Sequence, residues 1–183
     1  MRKIIVEVET SVDGCMGSED MAFWQQAFPF HGQDVQDYLS DLLFMPEALI
    51  MGRKTYQSFA EVWPARDGKD ADRINGMLKY VASRTLAEPL IWNATLLKGN
   101  VVEDIKKLKQ KTGRPLLQYG VGELTQTLLD NQLVDELRIL THPFIYGEGP
   151  HVFEHMGVHR LNLMEIIRFN SGAIAHHYHP VEM

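Results

Sequence analysis

The sequence predicts an α/β domain with a mostly parallel mixed sheet and antiparallel strands at its C-terminal end. Two patterns carry this expectation. Strand-like and helix-like hydrophobic periods alternate from Lys3 to Phe144, as in repeated strand-helix-strand units. The last two strand patterns are joined by Asn170-Ser171-Gly172, a hairpin signal. Length and composition agree: 183 residues, 45% hydrophobic and 23% charged, fit one folded domain over residues 1–183.

Lys3 to Glu9 alternates with period two, with Ile4, Val6 and Val8 on one side and Ile5, Glu7 and Glu9 on the other, which predicts a strand. Ser11-Val12-Asp13-Gly14 and Gly17-Ser18-Glu19-Asp20 then supply turn residues, and the aromatic stretch to Phe30 has no clean period, so a long loop is expected. Val35, Tyr38, Leu39 and Leu42 fall at helical spacing, with Asp34, Asp37 and Asp41 on the opposite face. Ala48 to Met51 is a short apolar run ending at Gly52, the pattern of a buried strand; Tyr56, Phe59, Ala60 and Trp63 return to helical spacing until Pro64.

The polar stretch from Ala65 to Gly76 reads as a solvated loop. Leu78 to Ala82 and Leu90 to Leu97 read as strands. Val101 to Lys111 reads as a surface helix with its lysines outward, ended at Gly113. Pro115 to Tyr119 returns to the sheet, and Gly120-Val121-Gly122 opens a helix carrying Leu124, Leu128 and Leu129. Strands follow at Glu136 to Phe144, Leu161 to Phe169 and Ala173 to Tyr178.

A net charge of −6 leaves no electrostatic footprint for nucleic acid. No stretch approaches the roughly 20 apolar residues of a membrane-spanning helix, and no leader pattern opens the chain, so a cytoplasmic protein without a membrane partner is expected. The single Cys15 offers neither a disulfide nor a cysteine pair for zinc.

Three strand ends feed polar or glycine turns: Gly52-Arg53-Lys54-Thr55, Ser83-Arg84-Thr85 and Gly120-Val121-Gly122-Glu123. Ligands of open α/β sheets gather outside the carboxyl ends of strands, so the three turns predict one shared cleft. Free N–H groups at a helix start, with Arg53, Lys54 and the Thr55 hydroxyl, suit a phosphate; Ser83, Arg84 and Thr85 suit a terminal phosphate monoester. Gly120 and Gly122 permit close backbone approach to a diphosphate. Thr125 breaks G-x-G-x-x-G, so the Rossmann fingerprint is absent.

In order and spacing these pieces, with Leu133-Val134-Asp135-Glu136-Leu137, Pro143 and Gly147-Glu148-Gly149, resemble the dihydrofolate-reductase-like family that includes the reductase domain of riboflavin biosynthesis proteins. The resemblance covers nearly the whole chain. It implies a three-layer α/β/α fold and an NADPH-dependent oxidoreductase acting on a small heterocycle. That substrate is either the 5-amino-6-(5-phosphoribosylamino)uracil of riboflavin synthesis or a pterin such as dihydrofolate. By the same resemblance, NADPH contacts Gly14, Gly52, Arg53, Lys54, Thr55, Ser83, Arg84, Thr85, Gly120, Val121, Gly122, Glu123 and Leu124. Trp24 and Tyr38 wall the substrate pocket, and the Val12-Asp13-Gly14 loop covers the nicotinamide. Homodimerisation through the C-terminal strands is also implied.

Hydride transfer needs a proton source near the developing charge. Asp37, midway along the first long helix, and Asp13, on the cofactor loop, are the candidate catalytic carboxylates; the alternative is that water supplies the proton. His151, His155 and His159 recur every fourth residue, and His177 and His179 share a strand face, but no carboxylate completes a set and no metal site is expected there. The competing readings are a nicotinamide-nucleotide-binding protein without turnover and a metal-dependent hydrolase built on those histidines.

Overall fold

The computed structural model describes residues 1–17 and 21–181; the expected turn at Ser18-Glu19-Asp20 lies outside them. One eight-stranded sheet runs in the order β4-β3-β2-β5-β1-β6-β8-β7. Its strands are β1 (Ile4–Ser11), β2 (Ala48–Gly52), β3 (Leu78–Ala82), β4 (Ala94–Leu97), β5 (Leu116–Tyr119), β6 (Glu136–His142), β7 (Arg160–Arg168) and β8 (Ile174–Val181). Every pairing is parallel except those of β8, which runs antiparallel to β6 and β7. The expected fold class is therefore observed, including the C-terminal hairpin. Among the described residues no helix is long and apolar enough to cross a membrane.

Among the described residues six α-helices flank the sheet: α1 (Ala22–Ala27), α2 (Gln33–Phe44), α3 (Arg53–Val62), α4 (Lys69–Gly76), α5 (Val101–Gln110) and α6 (Glu123–Asp130). Ile105 and Leu108 of α5 and Leu128 and Leu129 of α6 pack with Ile4, Val6 and Val8 on one face. Leu42 and Leu43 of α2, Tyr56 of α3 and Ile74 of α4 pack with Ile5, Leu49, Met51 and Leu117 on the other. Both faces of the central strands are thus covered, as a parallel sheet requires.

Four expectations need correction. Residues 22–30 form α1 and a short 3₁₀ turn, because Phe23 and Ala27, four positions apart, are both buried. Residues 69–76 are α4, whose Ala71 and Ile74 face the core beneath an otherwise charged surface. β4 begins only at Ala94, since Trp92 and Asn93 take positive φ values of 59° and 52°, outside strand geometry. Lys109 turns inward, donates to Leu133 O at 3.1 Å and pairs with Asp135.

Gly113 shows how tightly the N-terminal edge is fitted. Its φ is +147°, and a Cβ there would lie 2.4 Å from Glu47 Oε2 and 2.9 Å from Arg2 Nε. Arg2, only 8% exposed, binds Glu47 at 3.0 Å. Gly113→Ala should therefore force this pair apart and cost about 1–3 kcal/mol. Urea unfolding would read this as a lower midpoint with an unchanged slope.

Candidate active site

The order β3-β2-β5 places the three expected turns side by side at the carboxyl edge of the sheet. A Cβ on Gly120, whose φ is +75°, would come within 3.9 Å of Thr55 Oγ1. Arg84 reaches Glu123 at 3.5 Å, with both side chains 92% exposed. The first, second and third turns therefore meet around one cleft. A Cβ at Gly52 or Gly122 would meet nothing within 4 Å, so the space above both helix starts is open.

Each turn is held from below. Ser83 Oγ accepts from the N–H groups of Thr85 and Leu86 at 3.2 and 3.0 Å, fixing the turn that presents Arg84 to solvent. Gly120 N–H donates to Glu7 O at 2.8 Å, and Gln118 Nε2 donates to Gly120 O and Thr125 Oγ1 at 3.1 and 2.5 Å. Val121 is buried, and Leu124 packs against the α5–α6 core. Arg53 and Lys54 are exposed at the start of α3, where Arg53 binds Gln57 at 2.9 Å. The exposed cations and unpaired helix-start N–H groups of this cleft suit phosphate groups.

Near the cleft lies a cluster of buried polar side chains that alternation along β1 does not reveal. Glu7 and Glu9, which share one side of β1 with Ile5, are 3% and 12% exposed. Glu9 Oε2 accepts from His31 Nε2 at 2.9 Å and His142 Nε2 at 2.8 Å. Burial alone would raise the Glu9 pKa, but these two hydrogen bonds outweigh it and hold the carboxyl below its usual range. Burial and the neighbouring Glu9 push Glu7 well above the usual range, opposed by Arg138. Burial likewise raises the Tyr119 hydroxyl, with Glu7 and Glu9 adding to it.

Aromatic rings pack around this cluster. His142 stacks on His31 at 5.1 Å between ring centroids and on Phe144 at 6.4 Å, while Phe30 stacks on Phe144 at 6.1 Å. Trp24 stacks on Phe28 at 5.9 Å, and its indole covers Gly17, where a Cβ would lie 2.5 Å from the ring. Tyr38 Oη sits 2.8 Å from His177 Nε2, deeper under α2. Burial raises its hydroxyl pKa above the ordinary tyrosine value.

The two expected catalytic carboxylates make other contacts. Asp37 is on the exposed face of α2, accepting from Gln33 Nε2 at 2.8 Å. Asp13 accepts from Ser11 Oγ at 2.6 Å, Tyr146 N–H at 3.0 Å and Gly147 N–H at 2.8 Å. Those hydrogen bonds, led by Ser11, drive its pKa far below the carboxylate range, so Asp13 stays ionised and pins the loop after β6. In Asp13→Asn the amide oxygen is a weaker acceptor, and faster hydrogen exchange is expected at Tyr146 and Gly147 while β1 and β6 stay protected. Gly14, at φ +80°, continues the same turn, and Val152 N–H donates to its carbonyl at 2.8 Å.

The C-terminal histidines disperse. His151 lies 3.9 Å from Cys15 Sγ, His159 pairs with Asp130 and His155 with Glu154, while His177 and His179 bind different partners. The histidines that do converge, His31 and His142, are more than a hundred residues apart and follow no motif. The one local hint is the pair of acids Glu7 and Glu9 within a strand that must be covered on both faces.

Residues 2–175 match the model of the RibD C-terminal domain family. The Bacillus subtilis protein YyaP, itself uncharacterized, is 28% identical over 186 residues, covering 97% of this chain and 95% of its own. A Shewanella sp. PV-4 structure, provisionally described as a riboflavin biosynthesis protein, superposes with a TM-score of 0.74 at 22% identity, covering 98% of this chain and 99% of that one. A Thermotoga maritima diaminohydroxyphosphoribosylaminopyrimidine deaminase/5-amino-6-(5-phosphoribosylamino)uracil reductase gives 0.67 at 12% identity over 98% of this chain, which spans 57% of that chain. An Enterococcus faecalis dihydrofolate reductase complexed with NADP(H) gives 0.61 at 14% identity, covering 98% and 97%. At these identities the structural likeness is one of fold.

Proposed function

Because the chain belongs to the RibD C-terminal domain family, we propose that it is an NADPH-dependent reductase delivering hydride to a small heterocycle, a pyrimidine intermediate of riboflavin synthesis or a pterin-like ring. The observation that carries this reading is the meeting of three phosphate-suited turns at the adjacent carboxyl ends of β3, β2 and β5. Gly52 to Thr55 would hold the diphosphate at the start of α3, with Gly120 to Leu124 passing beneath it. Ser83, Arg84 and Thr85 would hold the 2′-phosphate. NADPH supplies the hydride, and the protein supplies its orientation against the acceptor.

A flat acceptor would lie against the neighbouring aromatic cluster. Trp24, Phe28, Phe30 and Phe144 offer ring faces for stacking, and Tyr38 closes the wall beneath α2. Asp13 is held ionised and Asp37 points to solvent, so the proton follows the second route considered, from water.

Thermal unfolding with and without cofactor tests the reading. At about 100 times its dissociation constant, NADPH adds roughly 2.7 kcal/mol, on the order of 5–10 °C for a chain of this size. A shift of that size with NADPH, largely absent with NADH, is expected. No shift with either nucleotide would exclude the reductase. Binding without oxidation of NADPH at 340 nm in the presence of pyrimidine or pterin acceptors would leave a nucleotide-binding protein.

A further inference from the structure

The Glu9, His31 and His142 side chains bring two imidazole nitrogens and one carboxylate oxygen together from three separate elements. Glu9 lies in β1, His142 ends β6, and His31 precedes α2. The three ligand atoms lie within 4.8 Å of one another. We propose that they form a binding site for a single divalent transition-metal ion of the zinc class, with coordination positions left open toward the aromatic chamber.

Four observations support the assignment. Atoms bound to one zinc ion at about 2.0–2.2 Å lie roughly 3–3.5 Å apart. The Glu9 to histidine contacts of 2.9 and 2.8 Å are within a few tenths of an ångström of that spacing. Both Nε2 atoms already reach the same Glu9 oxygen, from rings 5.1 Å apart between centroids. The groups are also preorganised: His142 is fully buried, His31 and Glu9 are 15% and 12% exposed, and Gln36 Nε2 holds His31 O at 2.8 Å.

Charge favours a cation. Among the described residues, the only ion-pair partners of Glu9 are the two imidazoles. A divalent ion bound at Glu9 would give this buried carboxylate a counter-charge, with the two imidazoles as neutral ligands. Two nitrogens and one oxygen select zinc, cobalt or nickel over magnesium or calcium, which take oxygen ligands. Three protein ligands leave room for water or another small ligand.

The test is titration of chelator-treated, tag-free protein with Zn²⁺ by calorimetry, and with Co²⁺ by its visible absorption. One ion per chain with a micromolar or tighter dissociation constant is expected, together with cobalt bands in the visible. His31→Ala, at the solvent-facing side of the site, should weaken both by at least ten-fold, whereas His155→Ala, on the remote exposed surface, should change neither. His142→Gln should behave like His31→Ala; should the buried change unfold the chain, His31→Ala decides alone. No uptake at millimolar Zn²⁺, or uptake that His31→Ala leaves unchanged, would overturn the site. The titration contains no nucleotide, so its result is independent of the reductase reading.

Discussion

Arg84→Ala is expected to weaken NADPH binding by about ten- to a hundred-fold, the loss of one charge-assisted phosphate contact of roughly 1.5–3 kcal/mol. NADH has no 2′-phosphate, and its affinity should stay within a factor of two. Unfolding of the ligand-free protein should not change, because the side chain is 92% exposed and its one ion pair, to Glu123 at 3.5 Å, is a surface contact. Glu123 gives the prediction a second arm. A carboxylate beside a bound phosphate repels it and competes for Arg84, so Glu123→Gln should tighten NADPH binding or leave it unchanged. Equal losses for NADPH and NADH in Arg84→Ala would move the 2′-phosphate away from this turn.

Lys79→Met should give the largest gain in stability. Lys79 is fully buried in β3; its Nζ donates to Asn75 O at 2.9 Å and lies 4.0 Å from the centre of the Trp92 ring. Burial lowers its pKa to about 8 from an ordinary 10.5. Below pH 8 the folded and unfolded chains both carry the proton, and the full cost of the buried charge is present. Between about 8 and 10.5 the unfolded chain holds the proton more tightly, so wild-type stability rises with pH. Methionine removes that cost but loses the carbonyl and ring contacts, leaving a net gain of about 1–3 kcal/mol at pH 7. The gain should shrink to near zero or reverse above pH 10.5. Denaturant unfolding across this range checks both sign and window; equal or lower stability of Lys79→Met at pH 7 would show that the two contacts outweigh the desolvation.

Local periodicity made most of the architecture legible. α2 carries its stripe at Val35, Leu39 and Leu42, and β2 to α3 passes through Gly52 with no ambiguity of period. The three turns were readable because each follows a strand and needs only nearest neighbours to form. α4 was hidden because two small stretches of core contact, Ala71 and Ile74, sit among charges that suggest a loop. The Glu9 chamber was hidden for a different reason. Its members come from β1, the segment before α2, and β6, and only the strand order puts them together. Lys109 shows the same limit, since its inward carbonyl and carboxylate, Leu133 O and Asp135, come from chain more than twenty residues on.

The central position of β1 also sets the order in which this chain can assemble. Its neighbours are β5, starting at Leu116 opposite Ile4, and β6, starting at Glu136 opposite Ile5, both more than a hundred residues downstream. During synthesis the first strand emerges long before either partner, and Ile4, Ile5, Val6 and Val8 wait without a sheet. The β7-β8 hairpin, by contrast, closes over a few residues. Such non-local pairing slows folding. A nascent chain released before Glu136 would leave the apolar residues of β1 without the sheet that buries them, a state prone to aggregation.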